Sequence, residues 1–110
     1  NVETLIVQDC FESPLWQAAT WQLPGATFAE RQGSYVNCND RLQSFTWAVR
    51  MPAGAMLEGQ LYWRLLENTG LYQAESVLQD VSRQIAFFAA AADPVPPTGV
   101  DLRMNQFVTT

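Results

Sequence analysis

The 110-residue chain contains no histidine and no lysine; its six cationic side chains are all arginine. Without histidine there is no ordinary base for a Ser-His or Cys-His pair, and the commonest metal ligand is missing. Without lysine there is no Schiff-base amine. Carboxylate chemistry, or chemistry borrowed from a cofactor, is what these absences leave. Charge is scarce too, at 15% of residues, against about a quarter in ordinary soluble domains. Eleven carboxylates give a net charge of -5, so no basic stripe exists to displace the counterions of nucleic acid or to meet an anionic membrane. Only two cysteines are present, Cys10 and Cys38. They are too few for a disulfide framework and too far apart for a local metal pair, and are read as reduced thiols. No apolar run approaches the length of a membrane span. The chain starts at Asn1 with neither Met nor a signal-like segment, and is therefore expected to be an excised piece of a longer protein.

What is present is apolar: 48% of residues are hydrophobic, enough for a sizeable core with surface left over to be covered by something else. The size sets one domain at most. Thr4 to Gln8 is a β-branched-rich run suited to a strand buried on both faces of a parallel sheet. Ser13-Pro14 starts a short helix through Ala19, with Ser13 as cap and Pro14 in the first turn. Thr20 to Leu23 forms a second strand that Pro24 ends, completing a strand-helix-strand unit over residues 1–24. Ser34–Asn37 and Leu42–Val49 flank Asn39-Asp40 as a β-hairpin arm spanning 33–49, with Phe45, Trp47 and Val49 on one face. Pro52 and Gly54 mark a connector. Leu57, Leu61 and Leu65 place a helix over Leu57–Asn68 stopped by Gly70, and Val77, Leu78, Val81, Ile85 and Phe88 place another over about 74–92. These two amphipathic helices occupy 57–92. Residues 93–110 read as a tail with a weak strand at Val100–Arg103. The fold class is mixed α/β.

Asp9 and Glu12 stand just past the first strand, where open α/β sheets place ligand groups. A strand-end Asp and a helix-start Glu are the simpler account. Ser13 and Ser34 lack a base and are read as a cap and a turn residue. Asn37-Cys38-Asn39-Asp40 is oxygen-rich but lacks the spacing and closing Glu of a calcium loop. Trp16, Trp21, Trp47 and Trp63 are expected in core packing or docking, and Phe87, off its helix's stripe, is the nominated outward contact.

Leu23-Pro24, Phe28-Ala29-Glu30, Gly33, Asn37, Arg41 and Gln43 occur in an order that resembles a motif of the molybdopterin oxidoreductases, within a similarity covering roughly residues 4 to 90. Inside that superfamily the helix containing Trp63 and the helix after it most resemble the large iron–sulfur subunit, the G chain, of NADH:quinone oxidoreductase (complex I). The resemblance implies a structural segment of a subunit that passes electrons from NADH to quinone, with no chemistry of its own. The alternatives are a fragment of a molybdenum enzyme such as formate dehydrogenase, contributing to pterin binding, and a stand-alone protein-interaction domain.

The same resemblance implies that a pterin, if one is bound, meets Glu30, Gly33, Asn37, Arg41 and Gln43. Otherwise Glu30, Asn37 and Arg41 serve as internal hydrogen-bond partners. Asn39-Asp40 stands where the family usually has Glu-Gly, and Trp21-Gln22 precedes Leu-Pro; both alter any pocket for an anionic pterin pyrophosphate. No catalytic or metal-ligating residue is assigned. Iron–sulfur clusters need closely spaced cysteines, so those of the parent lie elsewhere. The implied partners are the rest of the parent chain and other subunits of a respiratory complex, with neither nucleic acid nor direct membrane insertion. The implied location is cytoplasmic, attached peripherally to the inner membrane through that complex.

Overall fold

A computed structural model describes residues 2–107 as a mixed α/β chain. Its strands are β1 (Ile6–Asp9), β2 (Trp21–Pro24), β3 (Gly33–Val36), β4 (Arg41–Phe45) and β5 (Val100–Asp101); its α-helices are α1 (Pro14–Ala18), α2 (Glu58–Leu65) and α3 (Ala74–Gln84). The chain divides into two compact units, and each draws on two separate stretches. The first takes residues up to Arg31 with Trp47–Tyr72; the second takes Gln32–Thr46 with the chain from Gln73 onward. Among the described residues no helix is long and apolar enough to cross a membrane.

In the first unit β1 and β2 pair in parallel, Ile6 opposite Trp21 and Asp9 opposite Pro24, so the expected strand-helix-strand unit forms. Ser13 caps α1 by accepting from the Trp16 N–H at 3.1 Å, and Pro14 occupies the first turn. The connector is tied back to the sheet: the Met56 N–H donates to the Pro24 carbonyl at 2.8 Å, and the Gln8 Nε2 donates to the Met56 carbonyl at 3.0 Å. Helix α2 ends at Leu65, short of the expected Asn68. Glu67 adopts a left-handed φ of 60°, and the Trp63 indole donates to the Thr69 carbonyl at 3.0 Å, folding the chain back along the helix before Gly70 is reached.

The second unit is an antiparallel sheet in the order β3-β4-β5 with α3 and a 3₁₀ segment, Ala86–Ala91. The hairpin turns at Asp40, whose φ is 57°, in keeping with the tolerance of Asp for left-handed backbone. Its second arm stops at Phe45 rather than Val49. The N–H groups of Ala48 and Val49 both donate to the Ala29 carbonyl, at 2.7 and 3.1 Å, so Trp47 and Val49 leave the sheet for the first unit. The helix expected over 74–92 breaks at Ile85, which is extended (φ -120°, ψ 109°). The break lets Phe87 and Phe88, edge to face at 5.1 Å, pack against the core of Leu42, Ala91 and Leu102. Phe87 is thus an inward residue, not the outward contact that its position off the stripe suggested.

The expected tail is also part of the structure. β5 pairs with β4, Val100 opposite Leu42, and Leu102 is fully buried at the start of a 3₁₀ segment, Leu102–Phe107. Asp101 accepts from the Arg103 side chain, at 3.3 Å to Nε, and from its backbone N–H at 3.0 Å. These bonds hold its carboxyl below the usual carboxylate range. A carboxyl lowered in the folded state contributes stability above its unfolded pKa, and that contribution is lost as pH falls through the lower folded value. We therefore expect the stability difference between wild type and Arg103→Ala to be constant above about pH 5 and to close below about pH 4, with the Asp101 carboxyl titrating higher in the variant by NMR.

Candidate functional site

Four of the five residues singled out by the sequence sit on the hairpin of the second unit, and the fifth, Glu30, sits in the first. Glu30 closes the turn Phe28–Glu30 on itself. Its Oε2 accepts from the Thr27 N–H at 2.8 Å, and its own N–H donates to the Thr27 carbonyl at 3.1 Å. Asn37 organises the hairpin turn: its Oδ1 accepts from the N–H groups of Asn39 (2.9 Å) and Arg41 (3.1 Å), while the Asp40 N–H donates to the Asn37 carbonyl. This is the local bonding that lets an Asn replace regular backbone pairing at a turn.

Arg41 reaches across the sheet instead of into open space. Its Nε donates to the Thr98 carbonyl at 2.7 Å and its Nη2 to the Gly99 carbonyl at 3.3 Å, anchoring the strand that carries β5. Gly33 faces Phe45 in register, and a Cβ there would lie 3.2 Å from the Phe45 ring, which itself stacks on Tyr35 at 4.8 Å. Gln43 pairs with Tyr35 and lays its Cγ over Gly99. The sequence identifies Arg41 as a polar residue of interest but carries no signal for its partners, which lie 57 and 58 positions further on. Removing the guanidinium with Arg41→Ala should cost about 1.5–3 kcal/mol, the range for hydrogen bonds from a charged group. Arg41→Lys should recover less than half of that loss, since an ammonium does not span two carbonyls as a guanidinium does. Urea denaturation checks both; a loss under about 0.5 kcal/mol for the Ala variant, the size of an ordinary surface change, would show the anchor is not made.

Each unit also holds a cavity. The one in the second unit, of about 220 Å³, is lined by Gly33, Ser34, Ser44, Phe45, Glu75 and Asp93 among others; of the singled-out residues only Gly33 reaches it. The one in the first unit, of about 290 Å³, lies past the carboxyl ends of β1 and β2, lined by Asp9, Cys10, Glu12, Trp16, Gly25 and the connector from Pro52 to Ala55. Sequence reasoning placed Asp9 and Glu12 there but missed the connector, whose only signal was its Pro and Gly. Asp9 Oδ1 accepts from the N–H groups of Cys10 (2.7 Å) and Phe11 (3.3 Å), so this carboxylate holds the turn out of β1. Among the described residues lining the two cavities, the charged types are Asp and Glu, and no arginine stands with them. Such walls repel a pterin pyrophosphate, and the hydrogen-bonding atoms of Glu30, Asn37 and Arg41 described above already serve the fold. No three metal-ligating side chains stand together among the described residues, and both cysteines are exposed as free thiols.

Compared with known proteins, the chain is 33% identical over 89 residues to the F420-dependent formate dehydrogenase 1 subunit alpha of Methanococcus maripaludis, a match covering 76% of this chain and 13% of that subunit. The chain is a partial homologue of an oxidoreductase subunit. It therefore spans only a small part of the length of the relative it matches. No family model and no solved structure matches it. The relative falls on the alternative the sequence ranked second, the formate dehydrogenase type, and lends nothing specific to the large subunit of complex I.

Proposed function

We propose that this chain is a structural segment of the large subunit of a molybdenum-dependent oxidoreductase of the formate dehydrogenase type, working in the cytoplasm as part of a larger electron-transfer assembly. The observation that carries the reading is the similarity over 89 residues to a formate dehydrogenase alpha subunit. The order of Leu23-Pro24, Glu30, Gly33, Asn37, Arg41 and Gln43 along the chain agrees with it. A molybdopterin, where the parent binds one, would supply the two-electron chemistry, and iron–sulfur clusters would carry the electrons away. The polar and charged walls for the pterin then come mainly from polypeptide outside these residues, because the cavities here are acidic. What the chain's own residues do is hold shape: Asn37 sets the hairpin turn, Arg41 clamps the strand that brings Leu102 to the core, and Glu30 closes the turn after β2.

Purification of the intact parent polypeptide, with metal analysis and dye-linked formate oxidation, tests the reading. Stoichiometric molybdenum with formate-dependent reduction is the expected result. A molybdenum-free subunit supporting NADH:quinone activity would return the complex I assignment, and a protein with neither iron nor molybdenum would leave the interaction-domain alternative.

A further inference from the structure

We infer that one face of the β1–β2 sheet, the one carrying Ile6 and Trp21, is covered in the intact protein by an apolar face of a helix from polypeptide outside these 110 residues. The inference rests on the reading of the chain as a segment of a larger subunit, and on nothing specific to formate or molybdenum. Parallel strands occur in sheets whose two faces are both covered by helices, and a two-stranded sheet left open is marginal in water. Here the two faces differ. Val7, one residue along β1 from Ile6 and so pointing to the opposite face, is 8% exposed. Ile6 and its in-register partner Trp21 share the other face and remain 59% and 63% exposed. A cross-strand Ile-Trp pair in solvent is an apolar surface without the cover its chemistry calls for.

A second observation lies on the same face. Gln8, two residues on from Ile6, donates its Nε2 to the Met56 carbonyl, but its Oε1 is buried and has no hydrogen-bond partner. Gln8 is thus already met by the connector, and the open part of this face is its Ile6–Trp21 end. The occupant is argued from the comparison: the matched stretch is a small share of the relative's length, so most of such a subunit is available to supply the cover. No charged residue stands among Ile6, Gln8, Trp21 and Leu23, the four residues on this face, which suits an apolar helix face rather than a charged partner.

Hydroxyl-radical footprinting of the intact parent protein, read by mass spectrometry at Trp21, tests this without altering the chain. Trp21 should oxidise more than about tenfold slower in the native protein than in the same protein unfolded in denaturant, the protection given by burial that must open before reaction. Near-equal rates in the two states would overturn the inference. Protection that disappears on dilution of the protein would overturn it as well, because the cover would then be a second copy. The molybdenum and formate measurements are independent of this readout: an exposed Trp21 in a molybdenum-containing parent defeats the covering helix alone, and a covered Trp21 in a molybdenum-free parent defeats the formate dehydrogenase reading alone.

Discussion

Replacing Leu102 with alanine should destabilise the second unit by about 4 kcal/mol, towards the upper end for buried Leu→Ala changes. The size of the effect follows from how little else is fully buried there. Leu102 is 0% exposed, and among the described residues it shares the centre of the core with Leu42 and Ala91, each at 1%. Leu78, Phe87, Phe88, Ala90 and Val95 pack around these three and are partly buried. Leu102 also joins two parts of the unit through its backbone, its N–H donating to the Asp40 carbonyl at 2.9 Å. Denaturant unfolding gives the magnitude. Amide exchange gives the place: protection should fall at Leu42 and across the β3–β4–β5 ladder. A loss below about 1 kcal/mol would mean that Leu102 is not enclosed as the structure places it.

Leu102 also shows where sequence reading loses its grip. It stands in a stretch that follows Asp93-Pro94-Val95-Pro96-Pro97, with no periodicity of its own, and reads as a tail. What makes it core is the antiparallel pairing of β5 on β4, a contact between residues some 58 positions apart that no local pattern encodes. The elements whose causes are local were legible: Ser13 and Pro14 start α1, Pro24 ends β2, and Asp40 turns the hairpin. Their ends were legible only where a local residue dictates them. Helix α3 stops at Ile85 because Phe87 and Phe88 gain burial by leaving the helical path, and β4 stops at Phe45 because Ala29 captures the next donors. In both cases tertiary bonds override a pattern that is continuous in sequence.

The candidate site divides the same way. Asn37 and Arg41 were singled out by the resemblance to the molybdopterin oxidoreductases, and so was the reading that they serve as internal partners if no pterin is met. That Arg41 acts on the carbonyls of Thr98 and Gly99 was not readable, because those partners offer only backbone atoms, which every residue has. The acidic lining of the second unit's cavity lay just as hidden. Glu75 lies in the first turn of α3 and Asp93 beyond the 3₁₀ segment, and the two line one cavity only in the folded chain.

The Gly99→Ala variant isolates the contact on which that arrangement depends. Gly99 has a φ of +77°, which costs an alanine about 1–2 kcal/mol relative to glycine. Its second constraint is proximity: a Cβ there would lie 2.5 Å from the Leu42 carbonyl oxygen and 2.8 Å from the Gln43 Cγ. The Gln43 side chain has room to swing away, but the Leu42 oxygen belongs to the backbone of β4 and does not move without parting β5 from it. Overpacking of this kind adds about 1–3 kcal/mol, so the total should be about 3 kcal/mol. Gly54 supplies the control, because its φ is +91° and nothing lies within 4 Å of the position its Cβ would take. Gly54→Ala should therefore show the backbone penalty alone, about 1–2 kcal/mol. The difference between the two variants measures how tightly β5 is held against β4. It should shrink when Arg41→Ala is added, since the guanidinium that grips the Gly99 carbonyl helps to hold the strand in place. Equal losses for Gly99→Ala and Gly54→Ala in denaturant unfolding would show that the close approach of Gly99 to Leu42 is absent in solution, and with it the clamp assigned to Arg41.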